Sequence, residues 1–270
     1  MISQEERDER KKRIQAYQEK YNKRYEEKNG HADFLRATKT CKGRCYQIFK
    51  IMLPIGSAQI CEVFIDMANI YFSAHFNNNK YLAANGLAIS MMNIIAFSTL
   101  YGLATAQETL ASQAFGARNY KKAGHYLNLT RLIVLCATFL IVFPIFFFGG
   151  SILALIGIEE ELAHVTGWYL RIVFCGIIFQ AQSGVLRRFL RSQRIVWVHI
   201  VVVVASLPFH WVGMYIVVRV LDLGFYAIPA WTCATYLLSF ITFHLCFYCC
   251  KLGHADTRVR PRCADFEGTS

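Results

Sequence analysis

Residues 48–76 read IFKIMLPIGSAQICEVFIDMANIYFSAHF. The run is apolar and long enough to cross a bilayer as a helix, which takes about 20 residues. Five polar side chains interrupt it: Gln59, Glu62, Asp66, Asn69 and Ser73. Their spacing alternates between three and four, so a helix sets them in one line. Ile60, Val63, Phe64, Ile65, Ile70 and Phe72 fall off that line. An acid at the centre of a bilayer costs ~2.5–3.5 kcal/mol on insertion scales and more in simulations. Two acids on one stripe therefore predict a helix bundle with a polar interior, Glu62 and Asp66 turned inward. Acids in such a place mark ion or substrate paths, and Asp66 is the stronger candidate. The plainer reading puts Glu62 near a membrane surface, or has both acids serve internal hydrogen bonds only.

The composition agrees with a membrane protein. Of 270 residues, 55% are hydrophobic and 17% charged, and the mean hydropathy is +0.31, above the globular norm. The formal net charge is +11, and its placement matters more than its size. Fourteen of the 29 Lys and Arg lie before residue 51. Next to a membrane span such a flank stays in the cytoplasm. No nucleic-acid motif accompanies it, so no nucleic-acid partner is expected. The amino terminus is too charged, and too far from its first apolar run, to read as a cleavable signal peptide. The ten Cys are scattered, and those inside apolar runs (Cys61, Cys136, Cys175, Cys233) read as small hydrophobes. Cys41 and Cys45 lack the second pair of ligands that a zinc site needs. Cys246, Cys249 and Cys250, at the end of the last apolar run, read first as packing and second as acylation sites.

In order, the chain divides into a basic polar arm at 1–45, a six-helix membrane lobe at 46–250 and a polar tail at 251–270. Apolar runs predict spans at about 47–75, 82–103 (with the helix continuing toward 115), 127–148, 164–186, 196–218 and 226–248. Pro54 removes a backbone donor and predicts a bend in the first span. The second carries Asn85, Gly86, Ser90, Asn93, Ser98 and Gly102, which suit close helix contact or a wet cavity. Residues 151–157 are too short to cross. The links at 118–122 and 187–194 and the tail are basic, whereas the turns at 76–80, 158–161 and 221–225 carry little basic charge. That alternation predicts both termini in the cytoplasm. Asn128-Leu-Thr130 matches a glycosylation sequon, but this topology sets it beside a cytoplasmic link, unmodified.

Glu108-Thr-Leu-Ala-Ser-Gln113-Ala-Phe-Gly116-Ala resembles the end of the second helix in plant and fungal members of the multidrug and toxic compound extrusion (MATE) family. Leu53-Pro54-Ile-Gly-Ser-Ala-Gln59 is similar to that family's first-helix opening, and Phe64-Ile-Asp66 to the F-V-D of bacterial members. Arg188-Phe-Leu190 through Gln193 resembles the close of the fourth helix, and Asp222-Leu-Gly224 the turn before the sixth. The likeness covers roughly residues 45–250. It implies an antiporter that expels organic cations or other amphipathic compounds in exchange for H+ or Na+. Asp66 falls at the acid that takes up the coupling ion in bacterial members. Ser206 and His210 fall where the fifth helix of some members carries Asn and an acid. An imidazole titrates near pH ~6.5 when unperturbed, so His210 is either a second proton acceptor or a histidine hydrogen-bonded within the bundle. Family members have twelve helices in two lobes, and only the first has a counterpart here.

The expected fold is all-α and integral to the membrane, six spans forming one such lobe. The expected function is a secondary active efflux antiporter, or half of one, in a plasma, vacuolar or vesicular membrane. Asp66 is the coupling candidate, aided by Glu62, Gln59 and Asn69, with Tyr71, Gln180 and Tyr236 as further lining candidates. No cofactor beyond the coupling ion, and no metal, is expected. Expected partners are a small organic cation, membrane lipid and a second lobe, from a second copy or another chain. The rival is a non-transporting lobe that binds or regulates a full-length relative. No nucleophile–base pair or metal-ligand set points to an enzyme.

Overall fold

The computed structural model describes residues 41–249, with Ala16 and Thr257 besides. The rest of the amino-terminal arm and of the tail, Cys250 included, lies outside the described residues. Within them the chain is all α-helical. Helix α1 spans Cys41–Ala74 and runs without a break through Pro54. Helix α2 covers Asn79–Gly116 and α3 Tyr120–Phe147. A short α4, Gly149–Leu155, precedes α5, Glu160–Ser192. Helix α6 covers Trp197–Val220 and α7 Ala227–Cys249. All but α4 are long and apolar enough to cross a membrane, which gives the six spans that the hydrophobic pattern predicts.

The turns show why α2, α4 and α5 stop where they do. Arg118 has φ 59°, Arg194 φ 62° and Gly157 φ 97°. Each closes a helix by the paired 6→1 and 5→2 bonds of a left-handed cap. After α2, Asn119 N–H reaches Ala114 O at 2.9 Å and Arg118 N–H reaches Phe115 O at 3.0 Å. After α5 the matching bonds run from Ile195 to Leu190 at 3.0 Å and from Arg194 to Arg191 at 2.8 Å. At the opposite end of the bundle Lys80 pairs with Glu159 and Glu161, tying the start of α2 to the start of α5.

The packing corrects one expectation about the centre of the molecule. The acidic stripe draws attention to α1, yet α1 is the least buried span and α5 the most. Helix α5 packs on α7, α2, α3 and α4, while α1 rests on α6 and α2. Of the two uses expected for the small and polar residues of α2, Asn93 and Ser98 serve a cavity, and the glycines make no close contact. Open space surrounds Gly86 and Gly102, whereas a Cβ at Gly167 of α5 would lie 2.9 Å from the Gly150 backbone of α4. Backbone cannot step aside as a side chain can. Gly167→Ala is expected to lower the thermal midpoint in detergent, at a cost of about 1–3 kcal/mol typical of overpacking. Gly86→Ala, with room around it, is expected to leave the midpoint unchanged or raised.

Two residues set off the polar stripe of α1 nevertheless turn inward. Ile65 and Phe72 are buried, whereas Ile60, Phe64 and Ile70 are exposed on the outer face, as a lipid-facing surface requires. Non-α geometry occurs in three spans, as π-helical turns at Met92–Phe97, Thr138–Val142 and Ile216–Val220. Such turns gather at functional sites because they re-aim side chains, and the first of them reaches the cavity described next.

Candidate functional site

A cavity of about 470 Å³ lies inside the lobe between α1, α2, α5, α6 and α7. Helix α1 supplies Gln59, Glu62, Val63, Ile65 and Asp66. The π-helical turn of α2 and the residues after it present Asn93, Phe97, Ser98 and Tyr101. Gln180 and Arg187 come from α5, Val203 and Ser206 from α6, and Tyr236, Ser239 and Phe243 from α7. Polar and aromatic groups thus face a space within a membrane-spanning bundle.

The two carboxylates, one helical turn apart, sit in different settings. Glu62 is paired. The Arg187 guanidinium forms an ion pair with its Oε1, and Gln59 Nε2 donates to its Oε2 at 2.7 Å. Arg187 is itself fixed from two more sides: Nη1 donates to His199 Nε2 at 2.9 Å and Nη2 to Tyr101 Oη at 2.9 Å. Gly184 makes that arrangement possible, since a Cβ there would lie 2.6 Å from the Tyr101 ring. Asp66 lines the same cavity and has no hydrogen bond or ion pair among the described residues.

Arg187 is the functional residue that the sequence reading misses. Its place in a run with Arg188, Arg191 and Arg194 assigns it to a surface link, and the fourth span is expected to end at 186. Instead α5 continues to Ser192, and the Arg187 side chain is 6% exposed. The signal available was phase: Gln180 and Arg187 are seven apart, two helical turns, and so share a face if the helix is carried through the link. His199, at the start of α6, is buried beside it and was likewise not singled out.

The remaining candidates fall into three places. Asn69 and His210 lie next to the cavity in a buried network rather than on its wall. His210 Nε2 is 3.2 Å from Asn69 Oδ1, and Thr232 Oγ1 donates to the same oxygen at 3.1 Å. The amide oxygen only accepts, so the imidazole Nε2 carries a proton, while Nδ1 is 2.8 Å from Thr235 Oγ1, a hydroxyl that also lies 3.2 Å from Trp231 O and has one proton for the two acceptors. Both histidine nitrogens thus have a hydrogen-bonding neighbour. Ser206 donates to Val202 O at 2.8 Å and meets Ser239 Oγ at 3.1 Å, joining α6 to α7 on the cavity wall. Gln180 and Tyr236 line the cavity, but Tyr71 does not: it is 57% exposed and sits 6.0 Å from Trp211 on the outer side.

Glu108, Gln113 and Gly116 do not line the cavity either. Glu108 lies 3.7 Å from Arg188 and 3.8 Å from Arg191, bracing the end of α2 against the end of α5. Gln113 is exposed, and its carbonyl accepts from Ala117 N–H at 2.9 Å where α2 stops. Among the described residues no cluster of three or more metal-ligating side chains is present.

Six apolar spans, five of them lining a polar cavity, define an integral, multi-pass membrane protein. The sequence matches the MatE family profile over residues 54–216, and the chain belongs to that family, which comprises transporters rather than enzymes. It is 27% identical over 204 residues to Protein DETOXIFICATION 34 of Arabidopsis thaliana, covering 73% of this chain and 37% of that protein. It is 28% identical over 179 residues to Multidrug and toxin extrusion protein 2 of Pongo abelii, covering 66% of this chain and 30% of that one. The fold superposes on the crystal structure of the eukaryotic MATE transporter AtDTX14 with a TM-score of 0.69 and 24% identity. That match covers 87% of this chain and 50% of that one. A MATE structure in the bent conformation gives a TM-score of 0.70 at 16% identity, over 49% of its length. The chain thus spans about half the length of the solved transporters it matches, one lobe.

Proposed function

We propose that the chain is one lobe of a cation antiporter, exchanging organic cations or xenobiotics for H+ or Na+. One observation carries this reading: a carboxylate, Asp66, faces a cavity within a membrane-spanning bundle without a hydrogen-bond or ion-pair partner among the described residues. A buried ionised acid is expensive unless paired, and here the neighbouring residues leave that role open to a ligand. An organic cation, a sodium ion or a proton each neutralises it. Occupancy by one excludes the others, and that competition is the elementary event of exchange. The cavity wall fits an amphipathic cation: Phe97, Tyr236 and Phe243 offer apolar and ring surface, and Asn93, Gln180, Ser206 and Ser239 offer hydrogen bonds. Pro54, within α1, is the place where that helix bends as occupancy changes.

The basic residues Arg118, Lys121, Lys122, Arg188, Arg191 and Arg194 gather at one end of the bundle, the end that faces the cytoplasm by the positive-inside rule. Both termini lie on that side. Six spans return the chain to the side where it began, so a second lobe in the same orientation pairs about an axis normal to the membrane. That lobe comes from a second copy or from another chain. The second reading is a lobe that binds and regulates a longer relative.

The test is flux. The purified chain in proteoliposomes, given a pH step of either sign or a sodium gradient, is expected to move a fluorescent organic cation against its own gradient. Flux that appears only when a full-length relative is added supports the second reading. Flux indifferent to both gradients overturns the antiporter.

A further inference from the structure

We infer that Arg187 determines which cations the cavity accepts, by holding its net charge at minus one and so selecting singly charged ligands. This rests on the reading of the Asp66 cavity as the exchange site and goes beyond it, since that reading leaves the charge of the substrate open. Among the described residues three charged side chains line the cavity: Glu62, Asp66 and Arg187. With both acids ionised they sum to minus one.

His199 adds nothing to the sum. Its Nε2 lies 2.9 Å from Arg187 Nη1 and 3.4 Å from Glu62 Oε1; the shorter contact is with a group that only donates, so this nitrogen accepts there and the ring is neutral. The next charges, Arg188, Arg191 and Glu108, belong to the end of the bundle and do not line this cavity.

Arg187 cannot step aside to let a second positive charge in. Its guanidinium is bonded to Glu62, His199 and Tyr101 together, and it lies 5.8 Å from the Tyr101 ring centre and 6.0 Å from that of Phe243. It therefore also occupies the faces of those two rings, which are otherwise the attractive surfaces for a cationic ligand. A singly charged cation neutralises the cavity. A doubly charged one leaves it with a net positive charge close to the fixed Arg187 guanidinium, which is unfavourable. The same accounting assigns one proton, or one sodium ion, per cation exchanged.

The experiment measures equilibrium binding of tetraphenylphosphonium, a monocation, and methyl viologen, a dication, to the purified full chain in detergent. The parent is expected to favour the monocation. Arg187→Gln takes the cavity to minus two and is expected to shift the affinity ratio toward the dication by about tenfold or more, the size of one unit charge several ångströms away at an effective dielectric of about 20. The double variant Glu62→Gln with Arg187→Gln returns the charge to minus one and is expected to restore the parental ratio. A merely structural role for Arg187 predicts no such restoration. Should Arg187→Gln not purify, Glu62→Gln alone takes the charge to zero and is expected to weaken both probes, the dication more. An unchanged ratio in Arg187→Gln, an unrestored ratio in the double variant, or unchanged affinities in Glu62→Gln overturns the inference. A parent that binds neither probe removes the proposed function, and this inference with it.

Discussion

Asp66→Asn is expected to abolish cation movement driven by a pH step, while the protein still inserts, purifies and melts as the parent does. The amide has the same shape but cannot be ionised, so it neither attracts the cation nor takes up a proton in its place. Asp66 has no protein partner among the described residues. Its replacement therefore strands no buried charge, and removing an unpaired acid from membrane depth is stabilising if anything. Loss of flux with stability retained is the signature of a residue kept for function. Parental flux in Asp66→Asn would move the coupling site elsewhere, with His210 next in line because it is the remaining titratable group in the neighbouring network.

The opposite pattern is expected at Arg187. Arg187→Gln leaves the partly buried Glu62 without its cation, and breaking one partner of a buried pair costs about 3–5 kcal/mol, an upper bound for a carboxylate still partly open to solvent. The thermal midpoint in detergent should fall sharply. Glu62→Gln in the same chain removes the stranded charge, and the double variant should recover more than half of the loss. A double variant no more stable than the single one would mean that the pair is not the bond that holds α1 to α5 here. The loss should also be larger than that caused by removing either Glu108 contact. Those ion pairs are long, at 3.7 and 3.8 Å, and partly exposed, a class typically worth less than about 1 kcal/mol.

How much of this was legible in the sequence follows from which forces act on each residue. Spans are legible because the bilayer demands an unbroken apolar length, and all six appear where the hydrophobic runs place them. The inward turn of the α1 acids is legible because lipid penalises a carboxylate on any other face. The dominance of α5 is not legible. Apolar side chains satisfy lipid and protein alike, so hydropathy does not separate a span buried on all sides from one with lipid on most of them. Arg187 is hidden for a related reason. Basic residues flank every span end on the cytoplasmic side, and only helical phase distinguishes the one that turns inward from its neighbours Arg188 and Arg191. Tyr71 errs the other way. It follows the acidic stripe in sequence, but it stands two residues from both Asn69 and Ser73, on the opposite side of the helix, and points outward beside Trp211. The family motif from Glu108 to Gly116 is the most recognisable stretch of the chain, and its structural role is to stop α2 and brace it against α5.

The central claim is that one carboxylate holds either a cation or a proton and never both. It is tested most directly by adding tetraphenylphosphonium to the purified chain in a weakly buffered solution, at a pH where the empty site is partly protonated, and recording proton release. The account predicts release that saturates with the binding isotherm, at no more than one proton per cation bound, and that is absent in Asp66→Asn. Binding of the cation without proton release across the pH range, or the same release from Asp66→Asn, would contradict it.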